Sequence, residues 1–230
     1  MNSCYSVNTM KTSHAFPRSI VSILAILAAV LALCGCLSKP PLHKQTFTFG
    51  APPTSSGSAV GGDRVLGIRH LRIAPPFDGR SLVYRTAEFS YVRDPYAEFL
   101  DPPEEEMVAP VREWLSRASG FSDVVDTGSA LKPNTVVEIS VTQFYGDFRR
   151  PEHPYAVVTM RLVFFEARNG VPTKPILEQE YSRSIPVTAP SAAALMEGWN
   201  QAFGGIFSEV ASDLRRSPWN KSTNAVTTNN

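Results

Sequence analysis

Cysteine is scarce in this chain and confined to one end of it. The three cysteines among the 230 residues, Cys4, Cys34 and Cys36, all lie near the N-terminus. The rest of the chain therefore cannot contain an internal disulfide, whatever compartment it occupies. Its stability must come from the packing of apolar side chains.

Histidine is also rare, and no H-x-x-H or H-E-x-x-H spacing occurs. Such spacings place two metal ligands on one face of a helix. His43, His70 and His153 are separated by long stretches of chain, so we interpret them as surface or loop residues. No metal and no cofactor is predicted.

Charge of one sign and catalytic motifs are lacking as well. The 22 basic and 21 acidic residues give a formal charge of +1, which provides no basic excess for binding nucleic acid. No G-x-S-x-G and no P-loop motif is present. Nothing in the sequence marks a nucleophile with an orienting base. The sequence therefore predicts a protein that is not an enzyme.

Only one long apolar run occurs, IVSILAILAAVLAL at residues 20–33. It has the length of a signal-peptide core and is too short to span a bilayer comfortably. A basic segment without carboxylates precedes it, and Leu-Cys-Gly-Cys follows in the form of a bacterial lipobox. Signal peptidase II needs a small residue before the modified cysteine, and of the two cysteines after the apolar run Cys36, preceded by Gly35, meets that need, whereas Cys34 follows the bulky Leu33. We predict cleavage between Gly35 and Cys36 and lipidation of Cys36; an ordinary secretory signal or a buried helix is the alternative.

Two further residues, Met10 and Leu37, refine this prediction. Translation from Met10 would give a signal peptide of more usual length than translation from Met1, and both starts stay open. Leu37 follows the modified cysteine in place of the aspartate that retains enterobacterial lipoproteins in the inner membrane. We therefore predict a lipid anchor in the outer membrane, facing the periplasm, with inner-membrane anchoring as the alternative. Several acyl chains hold a protein firmly, since each buried methylene contributes about 0.8 kcal/mol.

Composition divides the chain into four segments. Residues 1–35 are the predicted lipoprotein signal peptide. Residues 36–63 are a predicted lipidated tether, rich in Pro, Gly and Ser, with one short strand (QTFTF) and a flexible loop. Residues 64–216 form one predicted domain, and the polar residues 217–230 are a predicted disordered tail.

Strand predictions rest on β-rich runs bounded by turn residues. They cover residues 65–73, 81–92, 135–145, 155–166 and 176–187, with a further short strand at 121–125. The tripeptide Arg168-Asn169-Gly170 predicts a hairpin between two of these strands.

Two helices are predicted from apolar residues at steps of three and four. The first begins with Asp101 as its cap and Pro102 at its first position, and runs to about residue 119 with a kink at Pro110. The second covers residues 191–216, where we interpret Gly204-Gly205 as a flat patch for close packing.

The order of strands, helix, strands, helix predicts the fold class. We expect an α+β (or α/β) two-layer domain in which a mixed, mostly antiparallel sheet is covered by two amphipathic helices.

Aromatic residues are concentrated before the first predicted helix. Residues of this kind are favoured anchors in protein interfaces. We therefore predict a partner interface formed by Tyr84, Phe89, Tyr91, Tyr96 and Phe99. The alternative is that these rings pack on the domain's own sheet.

These features together resemble the ABC-type transport auxiliary lipoprotein family, which includes the paraquat-inducible protein C-like lipoproteins. The resemblance covers nearly all of the chain after the lipobox. It rests on the strand that ends in Ile73-Ala74-Pro75-Pro76, on Leu82-Val83-Tyr84-Arg85, on the block YAEFLDPP at residues 96–103, and on Trp114-Leu115. The family often has tryptophan shortly before the helix, where this chain has Phe99.

The resemblance implies a non-catalytic, periplasm-facing accessory of an MCE-type, ABC-driven system that moves lipids or other hydrophobic molecules between membranes. It implies an MCE-domain protein as partner, and a homo-oligomer if that partner is a symmetric tube.

Three other functions stay open at this level. The chain could be an outer-membrane lipoprotein that assists assembly of another envelope machine. It could be a lipid carrier in its own right, which predicts a deep apolar cavity, whereas a docking role predicts a filled core. A hydrolase is the third.

Overall fold

A computed structural model describes residues 44–50, 64–118, 120–126 and 128–217. The predicted signal peptide, Cys36, the loop at residues 51–63 and residues 218–230 lie outside the described residues. The strands are β1 (Gln45–Phe47), β2 (Val65–Ile73), β3 (Ser81–Ala87), β4 (Ser90–Phe99), β5 (Asp123–Asp126), β6 (Thr135–Asp147), β7 (Tyr155–Arg168) and β8 (Val171–Pro186). The helices are α1 (Pro103–Glu106), α2 (Val108–Ala118) and α3 (Ala192–Arg216).

The eight strands form one mixed sheet organised around β6. One edge of β6 pairs with β7, which continues to β8, and both pairings are antiparallel. The other edge of β6 is divided. Its first half pairs with β2, which continues to β5, and its end pairs with β3, which continues to β4 and β1. The open sheet, covered by the helices, confirms the predicted α+β two-layer class.

Alternation along β6 and β7 explains which face is buried. Side chains two residues apart point to the same face of a strand. Val137, Ile139 and Val141 of β6 are buried, as are Met160 and Leu162 of β7. Each such side chain contributes about 1.5–3 kcal/mol when it leaves water.

Helix α3 covers this apolar face with a continuous stripe. Its predicted start is confirmed: Ser191 caps the helix, and its hydroxyl accepts a hydrogen bond from the Ala194 N–H at 3.3 Å. The buried residues of the helix recur at steps of three and four and include Leu195, Trp199, Phe203, Ile206, Val210 and Leu214. Helix α2 packs beside it, where Trp114 stacks on Phe207 with ring centroids 5.0 Å apart.

Close packing of α3 occurs at a different glycine from the predicted one. A Cβ atom at Gly198 would lie 2.7 Å from Ala156 Cβ and 2.6 Å from Val187 Cγ1. Gly204 has no such neighbour within 4 Å, and Gly205 approaches only the Arg183 side chain. The prediction for Gly204-Gly205 is therefore wrong, because among the glycines of α3 the close approach to the sheet occurs at Gly198.

Residues 81–92, predicted as one strand, are a hairpin. β3 ends at Ala87, β4 begins at Ser90, and these two residues pair across the turn. The turn contains no glycine, proline or asparagine, so the sequence carries none of the usual turn signals. β4 then continues to Phe99, through residues 93–99 that no strand prediction covered.

The first helix differs from its prediction at two points. Pro102, not Asp101, is the N-cap, and the Glu106 carboxylate accepts a hydrogen bond from the Asp101 N–H at 2.7 Å. The helix is interrupted at Met107, between α1 and α2, rather than at Pro110. Pro110 has no N–H to donate to the Glu106 carbonyl four residues before, so the break falls one turn earlier than the proline itself.

The β7–β8 turn is confirmed as a tight hairpin. Asn169 and Gly170 both have positive φ, 53° and 78°, as a two-residue turn of this kind requires. β8 consequently starts at Val171, five residues before the predicted start, in spite of Pro172 and Pro175. Proline is tolerated there because β8 pairs only with β7 and is an edge strand.

Candidate docking surface

Two segments far apart in sequence meet at one end of the sheet. Arg85 of β3 pairs with Asp147 of β6, so the β3–β4 turn lies beside the loop that joins β6 to β7. We call this surface the hairpin end; it consists of Arg85, residues 88–91, Asp147, residues 148–154 and Tyr155.

The hairpin end carries the most exposed aromatic side chain among the described residues. Phe89, at the tip of the turn, is 94% exposed. Tyr91 is 41% exposed, and its ring contacts Phe77 and Tyr145 with centroid distances of 5.8 and 5.5 Å. Tyr155 is partly exposed on the neighbouring strand. These three exposed rings lie at the same end of the sheet and are called the aromatic rim; the buried rings of Phe77 and Tyr145 support Tyr91.

Charged side chains brace the tip from both segments. The Arg85 guanidinium donates to the Glu88 carbonyl at 2.7 Å, and Arg149 forms an ion pair with the Glu88 carboxylate at 2.9 Å. Arg149 also forms an ion pair with Asp147 at 2.7 Å. The hydrogen bond from Arg149 lowers the pKa of the Asp147 carboxyl below its usual value. The tip is thus held at a fixed position relative to the loop.

Replacing Asp147 by asparagine is expected to lower the free energy of unfolding at pH 6 by up to about 1 kcal/mol, as for other ion pairs close to solvent. The folded-state pKa is depressed, so this stabilisation is complete above the ordinary carboxyl pKa of about 3.9 and disappears as the pH falls through the lowered value. Urea unfolding of both proteins should therefore differ at pH 6 and converge toward pH 3. A difference that persists in acid would contradict the assignment.

Two of the five predicted interface residues face inward. Phe99 is 1% exposed and stacks on Phe49 and Phe144, with centroid distances of 5.3 and 5.7 Å. Tyr84 is half-buried and stacks on Phe148 at 4.7 Å, and its hydroxyl donates to the Asp94 carboxylate. Burial, together with that hydrogen bond, raises the pKa of Tyr84. For these two residues the geometry matches the alternative of packing on the domain's own sheet.

The remaining predicted residue, Tyr96, belongs to a second exposed patch. Tyr96 is 60% exposed and Leu100 is 54% exposed, at either end of the segment of β4 that pairs with β1. The Asp94 carboxylate accepts a hydrogen bond from the Tyr96 N–H at 2.7 Å and fixes the local backbone. In the described part of the chain, residues 92–96 have no strand on their outer edge. We call Tyr96, Leu100 and this open edge the β4 edge patch.

The interior leaves little room for a ligand. An aromatic cluster fills the space between sheet and helices, with Phe144 and Trp199 4.4 Å apart and both buried. The depressions on the surface of the domain are open to solvent and have charged residues in their walls. The described residues contain no group of three or more His, Cys, Asp or Glu side chains that could hold a metal ion.

The sequence alone does not predict that loop residues 148–154 form part of this surface. Glu88 and Arg149, which form an ion pair, are separated by 61 positions. A hint is present in the sequence, because the loop combines two arginines and two prolines with the aromatic residues at its ends. Only the sheet register brings this loop to the β3–β4 turn.

Comparison with protein families gives one match. The family model described as ABC-type transport auxiliary lipoprotein component matches residues 46–211. The match begins within β1 and ends within α3. No curated protein matches the chain. Among the described residues no helix is long and apolar enough to cross a membrane.

Two solved structures share the fold at low sequence identity. Protein XCC0632 from Xanthomonas campestris, of the DUF330 family, is 13% identical, with a TM-score of 0.56 over 74% of this chain and 91% of that one. A second, described only as an uncharacterized protein, is also 13% identical, with a TM-score of 0.60 over 75% of this chain and 99% of that one. At such identity these similarities concern the fold alone.

Proposed function

The chain belongs to the ABC-type transport auxiliary lipoprotein family, and from this premise we propose that it is a lipid-anchored, non-catalytic accessory of an MCE-type ABC transport system. In this role it links the outer membrane to a periplasm-spanning partner through which lipids or other hydrophobic molecules move. The family match over residues 46–211 is the observation that carries the proposal.

The proposed anchor is the lipid on Cys36. The lipobox and the apolar run before it support this assignment. We propose the same segment boundaries as the composition indicates, with residues 1–35 removed, and the outer membrane as the destination. The energy for transport would come from the ATPase of the partner system.

The filled interior favours docking over carrying. A lipid carrier needs an apolar cavity that encloses much of the ligand's surface, whereas the space between sheet and helices is occupied by Phe49, Phe99, Phe144, Trp199 and Phe203. The hydrophobic cargo would therefore travel through the partner, and this protein would hold that partner at the membrane.

We propose the β4 edge patch as the docking site for the partner. An open strand edge offers unpaired backbone groups, and exposed aromatic and aliphatic side chains beside it provide anchors. Tyr96 and Leu100 stand beside such an edge. A homo-oligomer would form around the same partner if that partner is a symmetric tube.

The test is affinity purification of the tagged, lipidated protein from mildly solubilised envelopes, followed by protein and lipid mass spectrometry. We expect recovery of an MCE-domain protein with its permease and ATPase, and loss of these proteins for Tyr96→Ala/Leu100→Ser. Val171→Ser is the matched control, since Val171 is equally exposed but lies at the other end of the sheet. A Cys36→Ser variant should fail to incorporate radiolabelled palmitate.

Other outcomes point to the alternatives. Recovery of a different envelope machine would make the protein an assembly factor of that machine. Stoichiometric co-purifying lipid without a protein partner would support a carrier.

A further inference from the structure

From the sheet register and the exposed aromatic rim, we infer that the hairpin end contacts the membrane leaflet that holds the lipid anchor, with Phe89 inserted at the boundary between headgroups and acyl chains. This inference rests on the proposed lipidation of Cys36. Its occupant is a phospholipid surface rather than a protein.

The first step of the argument is the position at which the tether joins the sheet. Gln45 of β1 lies about level with Phe144 of β6, because the pairings run from Gln45 to Ala97, from Glu98 to Ser81 and from Tyr84 to Gly146. Phe144 pairs with Val158 of β7, three residues from Tyr155 and ten residues from Arg168. At about 3.4 Å per residue, the tether joins about 10 Å from Tyr155, about 20 Å from the tip of the β3–β4 turn and about 34 Å from the opposite end.

The second step is the reach of the tether. Cys36 precedes Gln45 by nine residues, and nine residues span at most about 30 Å when fully extended. This length connects Gln45 to the leaflet easily if the hairpin end faces the membrane. It falls short of the distance required if the β7–β8 turn faced the membrane instead.

The third step is the chemistry of the surface at that end. Aromatic side chains favour the membrane interface, where tyrosine keeps its hydroxyl in water and its ring in the apolar region. Phe89, Tyr91 and Tyr155 present such rings, and Arg149 and Arg150 of the adjacent loop would lie at headgroup level in this orientation. The side-chain depth expected for interfacial residues is about 5–10 Å into the headgroup and acyl boundary.

The fourth step is the rigidity of the tip. Glu88, directly before Phe89, contacts Arg85 and Arg149 from two different elements. A ring held on a braced turn loses less conformational freedom on insertion than one on a mobile loop. A phenylalanine that is 94% exposed on such a turn buries almost no apolar surface within the domain itself, so its ring is free to insert.

The experiment labels single introduced cysteines, because the mature lipidated protein has no other free thiol. In the lipidated protein Cys36 has no free thiol, and Cys4 and Cys34 leave with the signal peptide. Phe89→Cys and Val171→Cys therefore each provide one reactive thiol for a nitroxide label. Both positions are exposed, so neither substitution should disturb folding, and circular dichroism checks this. The labelled proteins are reconstituted into vesicles of phosphatidylethanolamine and phosphatidylglycerol.

The expected result is a several-fold loss of accessibility to a water-soluble nickel relaxant at residue 89, with a gain in accessibility to oxygen and no change at residue 171. Equal accessibility at both positions, in protein that floats with the vesicles, would overturn the inference and leave the proposed function intact. Protection of residue 89 that requires an added transport partner would also overturn it, because the surface would then bind protein. Labelling of the unsubstituted protein would instead show a free thiol and refute the proposed lipidation, on which the inference depends.

Discussion

Replacing Phe49 by alanine is expected to lower the free energy of unfolding by about 3 kcal/mol, at the lower end of the range for a buried phenylalanine. Phe49 is buried, and its ring contacts Phe99, Phe144 and Phe203 within 6.0 Å between centroids. Its loss leaves a cavity between β4 and α3 that neighbouring aromatic rings are too rigid to fill.

Urea unfolding followed by tryptophan fluorescence measures this change, because Trp114 and Trp199 lie in the same core. Thr46→Ala is the matched control, since Thr46 is an exposed residue of β1 and its replacement should change stability by less than about 0.5 kcal/mol. A decrease below about 1 kcal/mol for Phe49→Ala would show that residues 44–50 do not unfold together with the rest of the sheet.

Two glycine-to-alanine substitutions in the same helix are expected to have opposite effects. Gly204→Ala should raise the free energy of unfolding by about 0.5–1 kcal/mol, because alanine favours the helix and no atom lies within 4 Å of the new methyl group. Gly198→Ala should lower it by about 2 kcal/mol, because the new Cβ overlaps Ala156 and Val187 and forces the helix away from β7.

The pair forms its own control, since both changes add one methyl group to α3. Thermal and urea unfolding of the two variants should give midpoints on opposite sides of the unsubstituted protein. Equal stabilisation by both would mean that α3 does not approach β7 as closely as the distances at Gly198 indicate.

Elements with a strong local pattern are predictable from this sequence. The alternation in β6 and the stripe of α3 both specify a buried face without knowledge of the neighbours. The turn at Asn169-Gly170 is specified by two residues that accept positive φ. The hairpin at Glu88-Phe89 could not be predicted in this way, because nothing in its composition distinguishes a turn from a continuing strand.

The docking surface is predictable only in part. The density of aromatic residues points to this stretch of chain as a surface, but does not indicate which rings face solvent. Alternation along the end of β4 places Tyr96 and Phe99, which are three positions apart, on opposite faces of the sheet. Phe99 lies in the core and Tyr96 is exposed because the helices cover only one of these faces, a distinction that depends on tertiary structure and not on residue type.

The edge strand β8 affects whether neighbouring copies of the protein on one membrane can pair with each other. Proteins anchored to one membrane, as proposed here, are at high local concentration, and at such concentrations an open strand edge is a template for aggregation. Pro172, Pro175 and Pro186 provide no N–H, and Lys174 and Glu178 add charges along the strand. Strand-to-strand pairing of neighbouring copies along β8 is thereby disfavoured, so many copies can share one membrane area without joining through this edge.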